Sequence, residues 1–300
     1  MPKPVMDVIT GEKFQWLCDY YIGSNSDLNF NPKIKNQLTK HINIDNYNVD
    51  EIRTLTVKNV FCYTHIIHGE IANLSPSTCN TNKCKLINIL SNISTPFNIV
   101  FHNSDGSFLS CHTELLNIPN LTKIYTQNIA IKPTERIIPI PIGIANSMWK
   151  HGDLDIWNAI LCNHNMNNKP NLIYFNFNIS TNSKKRRECY DVIKSKHIEN
   201  LPNTDYLSYL KLLSSYKFAI CPEGNGLDTH RFWECLYLKV IPICLRNHIT
   251  EYFSHHYPVV LLDNWHDLNT ETLDVFFAHA KWDNYDRLNF AYYINRIRSA

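Results

Sequence analysis

The sequence predicts an α/β protein built on parallel sheets of Rossmann-like type. Three observations predict it. Residues 218–244 read FAICPEGNGLDTHRFWECLYLKVIPIC, a strand, a glycine-bearing polar loop, a helix and a second strand, which is a βαβ unit. Residues 84–125 repeat that succession, with a continuous apolar strand at its centre. The chain has 300 residues, long for one compact domain and comfortable for two of about 150.

Composition narrows the function. Hydrophobic residues make up 44% and charged residues 19%, as in a soluble globular protein. The net charge of +2 gives no general attraction to nucleic acid or acidic membranes, so no nucleic-acid partner is expected. The first residues, MPKPVMDVITGEKFQW, lack the apolar core of a signal peptide. No run of 18 apolar residues offers a membrane span. None of the ten cysteines forms a C-x-x-C pair. Several lie in apolar strand or helix patterns, which reads as reduced core thiols, a cytoplasmic location and no structural zinc. The Asn, Ile and Lys bias is that of an AT-rich genome, as in a large DNA virus.

In chain order, residues 1–50 are polar and Asn-rich, and read as a weakly structured lead-in with one short helix over 13–21. Residues 54–67 read as a strand with a possible bulge, ending at His65 and His68, which suit a surface better than a ligand set. Residues 84–93 have helical spacing. The apolar run 97–101 delivers His102 and Asp105 to the carboxyl edge of the first sheet. Residues 109–116 read as a helix and 121–125 as a strand. The run 137–144 is broken by Pro139 and Pro141, so it is an edge strand or a linker. A helix is expected over 154–162. Asp153 and Asp155 in front of it form a D-x-D pattern, which suits a metal ion or, more simply, a helix cap. Strand 171–177 opens the second domain. Helix 184–194 follows, starting with four cations, Lys184 to Arg187, which oppose the helix dipole unless an anion faces them. Helices 204–215, 249–253, 271–280 and 285–297 and strand 259–262 complete the chain.

The βαβ unit at 218–244 carries the candidate site. A helix amino terminus presents unpaired N–H groups and partial positive charge, which suits phosphate. Gly224 and Gly226, flanking Asn225, let a ligand approach the backbone and allow positive φ. Asp228 or Thr229 can cap the helix. His230 and Arg231 stand in its first turn, where an anionic ligand explains a cation. Glu234 lies on the same side, three residues on, and suits ribose hydroxyls. The same spacing equally suits an i,i+3 ion pair with Arg231.

Residues 222–226 (PEGNG), 228–234 (DTHRFWE) and 240–243 (VIPI) resemble the donor-binding segment of the exostosin-like glycosyltransferases. The family's small pair before the strand is Leu238-Lys239 here, a departure that bears on helix–strand packing. The resemblance covers about thirty residues. It implies a GT-B type fold, with two Rossmann-like domains facing a cleft and a nucleotide sugar on the second. It implies an acceptor-side domain over 1–150, a donor domain over 151–283, and a C-terminal helix over 284–300 that returns to the first.

The activity implied is transfer of a hexosyl or pentosyl group from a nucleotide sugar, a UDP-sugar foremost, to a hydroxyl of a glycan or glycoprotein. Asp105 is the expected base of an inverting reaction, and His102 the second candidate. Arg231, with Arg186 or Arg187 and the amides after Glu223, would stabilise the leaving diphosphate without a metal or other cofactor. Glu223 would hold the sugar or the loop. The alternative is a catalytically silent glycan-binding or scaffold protein of the same fold.

Overall fold

The computed structural model describes residues 6–26, 40–68, 81–163 and 168–299. The chain gathers into two compact units, Thr10–Ile140 with Tyr293–Ala300, and Met1–Ile9 with Pro141–Tyr292. Each is an α/β layer around one parallel sheet.

The first unit holds six strands: β1 (Tyr20–Gly23), β2 (His41–Asn43), β3 (Asn59–Tyr63), β4 (Phe97–His102), β5 (Leu121–Thr126) and β6 (Ile137–Pro139). Their order is β2-β1-β3-β4-β5-β6, and every pairing is parallel. Strands β3 and β4 are buried along their whole length, which is why FNIVF has no polar alternation. Pro139 lies in the edge strand β6, where a missing N–H costs no ladder bond. The described part of the lead-in expected over residues 1–50 is instead structured: it supplies helix Gly11–Leu17 and two strands, one of them inside the sheet, and residues 1–5 and 27–39 lie outside the described residues. These strands have only four and three residues, too few to show a period in so polar a stretch. Thr10 caps the helix by accepting from Lys13 N–H. Gly11 has no room for a Cβ, which would stand 1.7 Å from Asn103 Oδ1.

The second unit holds β7 (Asn171–Tyr174), β8 (Tyr216–Ile220), β9 (Ile241–Leu245) and β10 (Val260–Leu262), all parallel, in the order β10-β9-β8-β7. Alternate residues serve alternate faces. Ile173, Phe218, Ile220, Ile241 and Ile243 share one core with Cys189, Val192 and Ile193 of helix Ser183–Ser195. Helix His230–Tyr237 is the crossover from β8 to β9. It ends in a Schellman motif, with Val240 N–H on Cys235 O (2.8 Å) and Lys239 N–H on Leu236 O (3.1 Å). The residue that takes the left-handed turn is Lys239, at φ +53°. Lysine therefore does here what glycine does more cheaply, and Leu238 and Val240 remain fully buried.

Lys169 is buried beneath this helix. Its Nζ donates to Ser214 O and Leu238 O, both at 2.7 Å. It thus satisfies a last-turn carbonyl of helix Tyr206–Ser214 and the C-cap carbonyl of the crossover helix.

The units divide at 140/141, not at 150. Ile142 N–H donates to Asp228 Oδ2 (2.7 Å), and Ile144 N–H donates to Ile9 O (2.9 Å), which binds this segment to the second unit. Helix Phe290–Arg298 begins with Phe290 N–H on Asp7 O at 2.7 Å. Further along, Asn98 Nδ2 donates to Ile297 O (3.3 Å) and the Tyr125 hydroxyl to Arg296 O (3.1 Å). Among the described residues no helix is long and apolar enough to cross a membrane. Among the described residues eight cysteines form no disulfide, but Cys84 is disulfide-bonded, so the expectation of reduced thiols fails at that position.

Candidate functional site

The site residues of the second unit lie at the carboxyl edge of its sheet, in the loops after β7 and β8 and at the start of helix His230–Tyr237. Thr229 is the N-cap residue, with extended backbone and no side-chain capping bond. Asp228 does not cap either. Its oxygens accept from Thr229 N–H (2.8 Å), Ile142 N–H (2.7 Å) and Trp233 Nε1–H (2.9 Å). Burial pushes the Asp228 carboxyl up to about 7, although those N–H bonds favour the anion. Asp228 thus staples residue 142 to the helix, and no side chain caps the helix start.

Arg231 leaves the first turn and lies between two phenol rings, 5.3 Å from the Tyr174 centroid and 4.9 Å from that of Tyr209. One Nη donates to Asn176 O at 2.7 Å, while its Nε has no hydrogen-bond partner. Burial acts against its charge, but Tyr209 and Glu234 hold its pKa above the ordinary value. Glu234 is 5% exposed. Its two oxygens accept from the Tyr206 (2.9 Å) and Tyr209 (2.6 Å) hydroxyls, and Oε2 lies 3.9 Å from Arg231 Nε. Of the two uses the spacing allowed, the structure shows the i,i+3 pair. The carboxylate is turned inward onto the two phenols.

Arg186 and Arg187 are separated clearly. Arg186 folds back over the loop, with Nε on Glu223 O (2.9 Å) and Nη1 on Asn178 O (2.8 Å). Burial, and then the nearby Arg231 charge, lower its pKa, so two like charges share one neighbourhood. A Cβ on Gly224 would stand 3.3 Å from Arg186 Nη2, so the glycine leaves the guanidinium room. Arg187 is exposed and lines an open groove with Tyr190 and with Asn176 and Asn178, the residues whose carbonyls hold Arg231 and Arg186. Helix Ser183–Ser195 produces this split because successive residues point about 100° apart. Asn182 caps that helix and also donates to Gly224 O at 2.8 Å, which ties the two loops together.

The Glu223 carboxylate is occupied. It pairs with Lys185 and accepts from Asn247 Nδ2 at 3.0 Å, so it holds the loop. Asn225 is exposed between the buried Gly224 and Gly226. Neither glycine takes positive φ; among the described glycines only Gly143 does, at +69°. A Cβ there would stand 2.2 Å from Ile9 O. His230 Nδ1 lies 2.8 Å from Gly143 O. A carbonyl only accepts, so Nδ1 carries the proton. Asp153 Oδ1 accepts from Asp155 N–H at 2.9 Å, which is the capping use of that pair.

In the first unit, Asp105 is exposed in the loop after β4, at the carboxyl edge of its sheet. That loop is fixed through Ser104 O, which accepts from the Gln127 amide and from Asn128 Nδ2 (3.2 Å). His102, the second base candidate, is 1% exposed. It accepts Asn103 N–H at Nδ1 (2.8 Å) and packs 5.1 Å from the Phe14 ring. Strand β4 is buried on both faces to its last residue, so His102 lies in the core, where it shapes the turn. The half-buried His68 and the buried His112 have rings 4.7 Å apart beside Gly106. Burial, and then His68, push the His112 pKa down to about 4. His112 stood inside an expected helix with no polar signal to mark it.

The fold and the site define a protein of two parallel-sheet α/β units with an arginine-lined, uncapped helix start at one sheet edge. No protein-family model matches the chain, and the curated proteins hold no match. The exostosin-like resemblance therefore rests on residues 222–243 alone. Among solved structures the chain is similar to an alpha-glucosyltransferase in complex with UDP and a 13-mer DNA containing a central A:G mismatch. The identity is 11% and the TM-score 0.33, over 93% of this chain and 92% of that one.

Proposed function

We propose that this chain is a glycosyltransferase that holds the diphosphate of a nucleotide sugar, a UDP-sugar foremost, at the start of helix His230–Tyr237. The observation that carries this reading is the pair Arg186 and Arg231. Backbone carbonyls of residues 176, 178 and 223 hold both guanidiniums at a helix start without a capping side chain. Glu234 offsets one of these two charges, and the second favours a further anion in a partly desolvated place. A diphosphate supplies two charges and the acceptor oxygens that guanidiniums bind in parallel pairs. During transfer the leaving diphosphate gains charge at this same place.

Asp105 is our choice of base for the acceptor hydroxyl, being exposed at a sheet's carboxyl edge on a loop held by Gln127 and Asn128. Glu234 and Glu223 act as positioning residues for Arg231 and for the 223–226 loop. The arginines supply the charge that a metal provides in other transferases, so we expect turnover to survive a chelator.

The test is titration of UDP, GDP and CMP into the wild-type protein and into Arg231→Ala by calorimetry. Binding of one nucleotide to wild type and its loss in the variant support the donor site. Equal affinity in both removes it. Donor binding without turnover on any glycan or DNA acceptor would favour the scaffold alternative.

A further inference from the structure

Trp149 is 49% exposed, just before the short helical turn Lys150–Gly152. The turn that carries the ring is held by main-chain bonds. Trp149 N–H donates to Asn146 O (3.0 Å), and Gly152 N–H donates to Trp149 O (2.9 Å). A Cβ on Gly152 would stand 2.0 Å from Asn146 O, so only glycine closes this turn. The indole is stacked on the His151 ring, with centroids 6.2 Å apart and planes 17° apart. His151 in turn lies 6.1 Å from the Tyr206 ring and 6.3 Å from the His230 ring. Tyr206 bonds Glu234, the partner of Arg231, and His230 is the residue before Arg231. A chain of rings therefore leads from an open indole to the arginine site, all within the second unit.

We propose that the Trp149–His151 pair is a stacking platform for a pyranose ring of the carbohydrate acceptor. The face of an aromatic ring is electronegative. A pyranose presents polarised C–H bonds on its flat side and hydroxyls around its rim. The open indole suits that flat side, while the exposed His151 imidazole beside it supplies a hydrogen-bond partner for the rim. An indole backed by a second ring is already fixed in orientation, so less freedom is lost on binding. The assignment rests on the donor reading for the identity of the neighbouring site, but not for its own test.

The experiment screens wild type, Trp149→Ala, Trp149→Phe and Arg231→Ala on an array of plant, microbial and animal glycans, with UDP titrated in parallel by calorimetry. The expected result is that wild type binds at least one glycan and Trp149→Ala binds it roughly tenfold more weakly or worse, the value of one aromatic stack. Trp149→Phe should keep most of the affinity, and UDP binding should not change in either variant. Arg231→Ala should show the opposite pattern, losing UDP and keeping the glycan. Glycan binding by Trp149→Ala equal to wild type, or no glycan bound by wild type, overturns the platform. Loss of UDP in Trp149→Ala also overturns it, because the indole would then serve the nucleotide base. Failure of UDP to bind wild type, with the glycan pattern intact, sinks the donor reading alone.

Discussion

Arg231 Nε lies 3.9 Å from Glu234 Oε2, one turn along the same helix, and the carboxylate also takes the Tyr206 and Tyr209 hydroxyls. The pair is unequal in exposure, 21% for the arginine side chain and 6% for the glutamate. Such a carboxylate cannot be removed cheaply, because the arginine keeps its charge.

Glu234→Gln should therefore destabilise the protein by about 2 kcal/mol, at the lower side of the cost of breaking a buried pair because Arg231 is partly exposed. Chemical denaturation measures this. The same variant should bind UDP less tightly, because Arg231 loses its support. A variant as stable as wild type would mean that the tyrosines alone position the arginine.

Arg186→Ala and Arg187→Ala should differ sharply. Arg186 spans two loop carbonyls, so its loss should weaken UDP by roughly tenfold or more, the scale of one charge-assisted hydrogen-bonded contact. Arg187 is exposed on another side of the helix and should leave UDP affinity unchanged. Calorimetry on both variants decides, and equal losses would mean that general positive charge, not placement, binds the nucleotide.

Lys239 carries positive φ at the end of the crossover helix and sets its ammonium 5.2 Å from the Tyr285 centroid. Both Lys239→Ala and Lys239→Gly lose that cation–π contact. Only glycine relieves the left-handed backbone, which costs an ordinary residue about 1 kcal/mol or somewhat more. Lys239→Gly should thus be the more stable of the two by about 1 kcal/mol, read by urea denaturation.

Lys169 gives a pH signature. Burial pushes its pKa down from 10.5 to about 7. A neutral amine still has two N–H groups for the two carbonyls. Between pH 7 and 10.5 the unfolded chain then binds the extra proton, so stability should rise with pH across that window. The limit is about 1.4 kcal/mol per pH unit. Lys169→Met never titrates, and its last-turn carbonyls lose their donor. The stability gap between wild type and Lys169→Met should therefore widen from pH 7 to 9.5. A constant gap would show that the two carbonyls hold the lysine charged.

The sequence was most legible where elements were long or wholly buried. The βαβ unit at 216–245 lies within a residue or two of its expected bounds, because strand, loop and helix each carry their own pattern there. Strands β1 and β2 were illegible because a short interior strand has no room for periodicity, and Tyr20 to Gly23 sits among polar residues. At the site, spacing alone correctly put Arg231 and Glu234 on one face. It could not say that two tyrosines from helix Tyr206–Ser214 would claim the carboxylate, since that is a tertiary contact over more than twenty residues. His102 was misread for a simpler reason: β4 is buried on both faces to its last residue, so the end of the strand is not yet an open edge. The split of Arg186 from Arg187 depended on helix phase, which a run of four cations does not reveal.

The composition of the two units bears on how this polypeptide is made. Neither unit is a continuous stretch, since each takes a piece from elsewhere in the chain. As the ribosome releases residues 10–140, the six-stranded sheet is present in full, but Asn98 and Tyr125 still lack the carbonyls of Ile297 and Arg296. Those arrive only after the whole second sheet has been translated. A nascent chain halted near residue 280 should therefore remain protease-sensitive around β4 and β5, and no single cut can release either unit as an intact fragment.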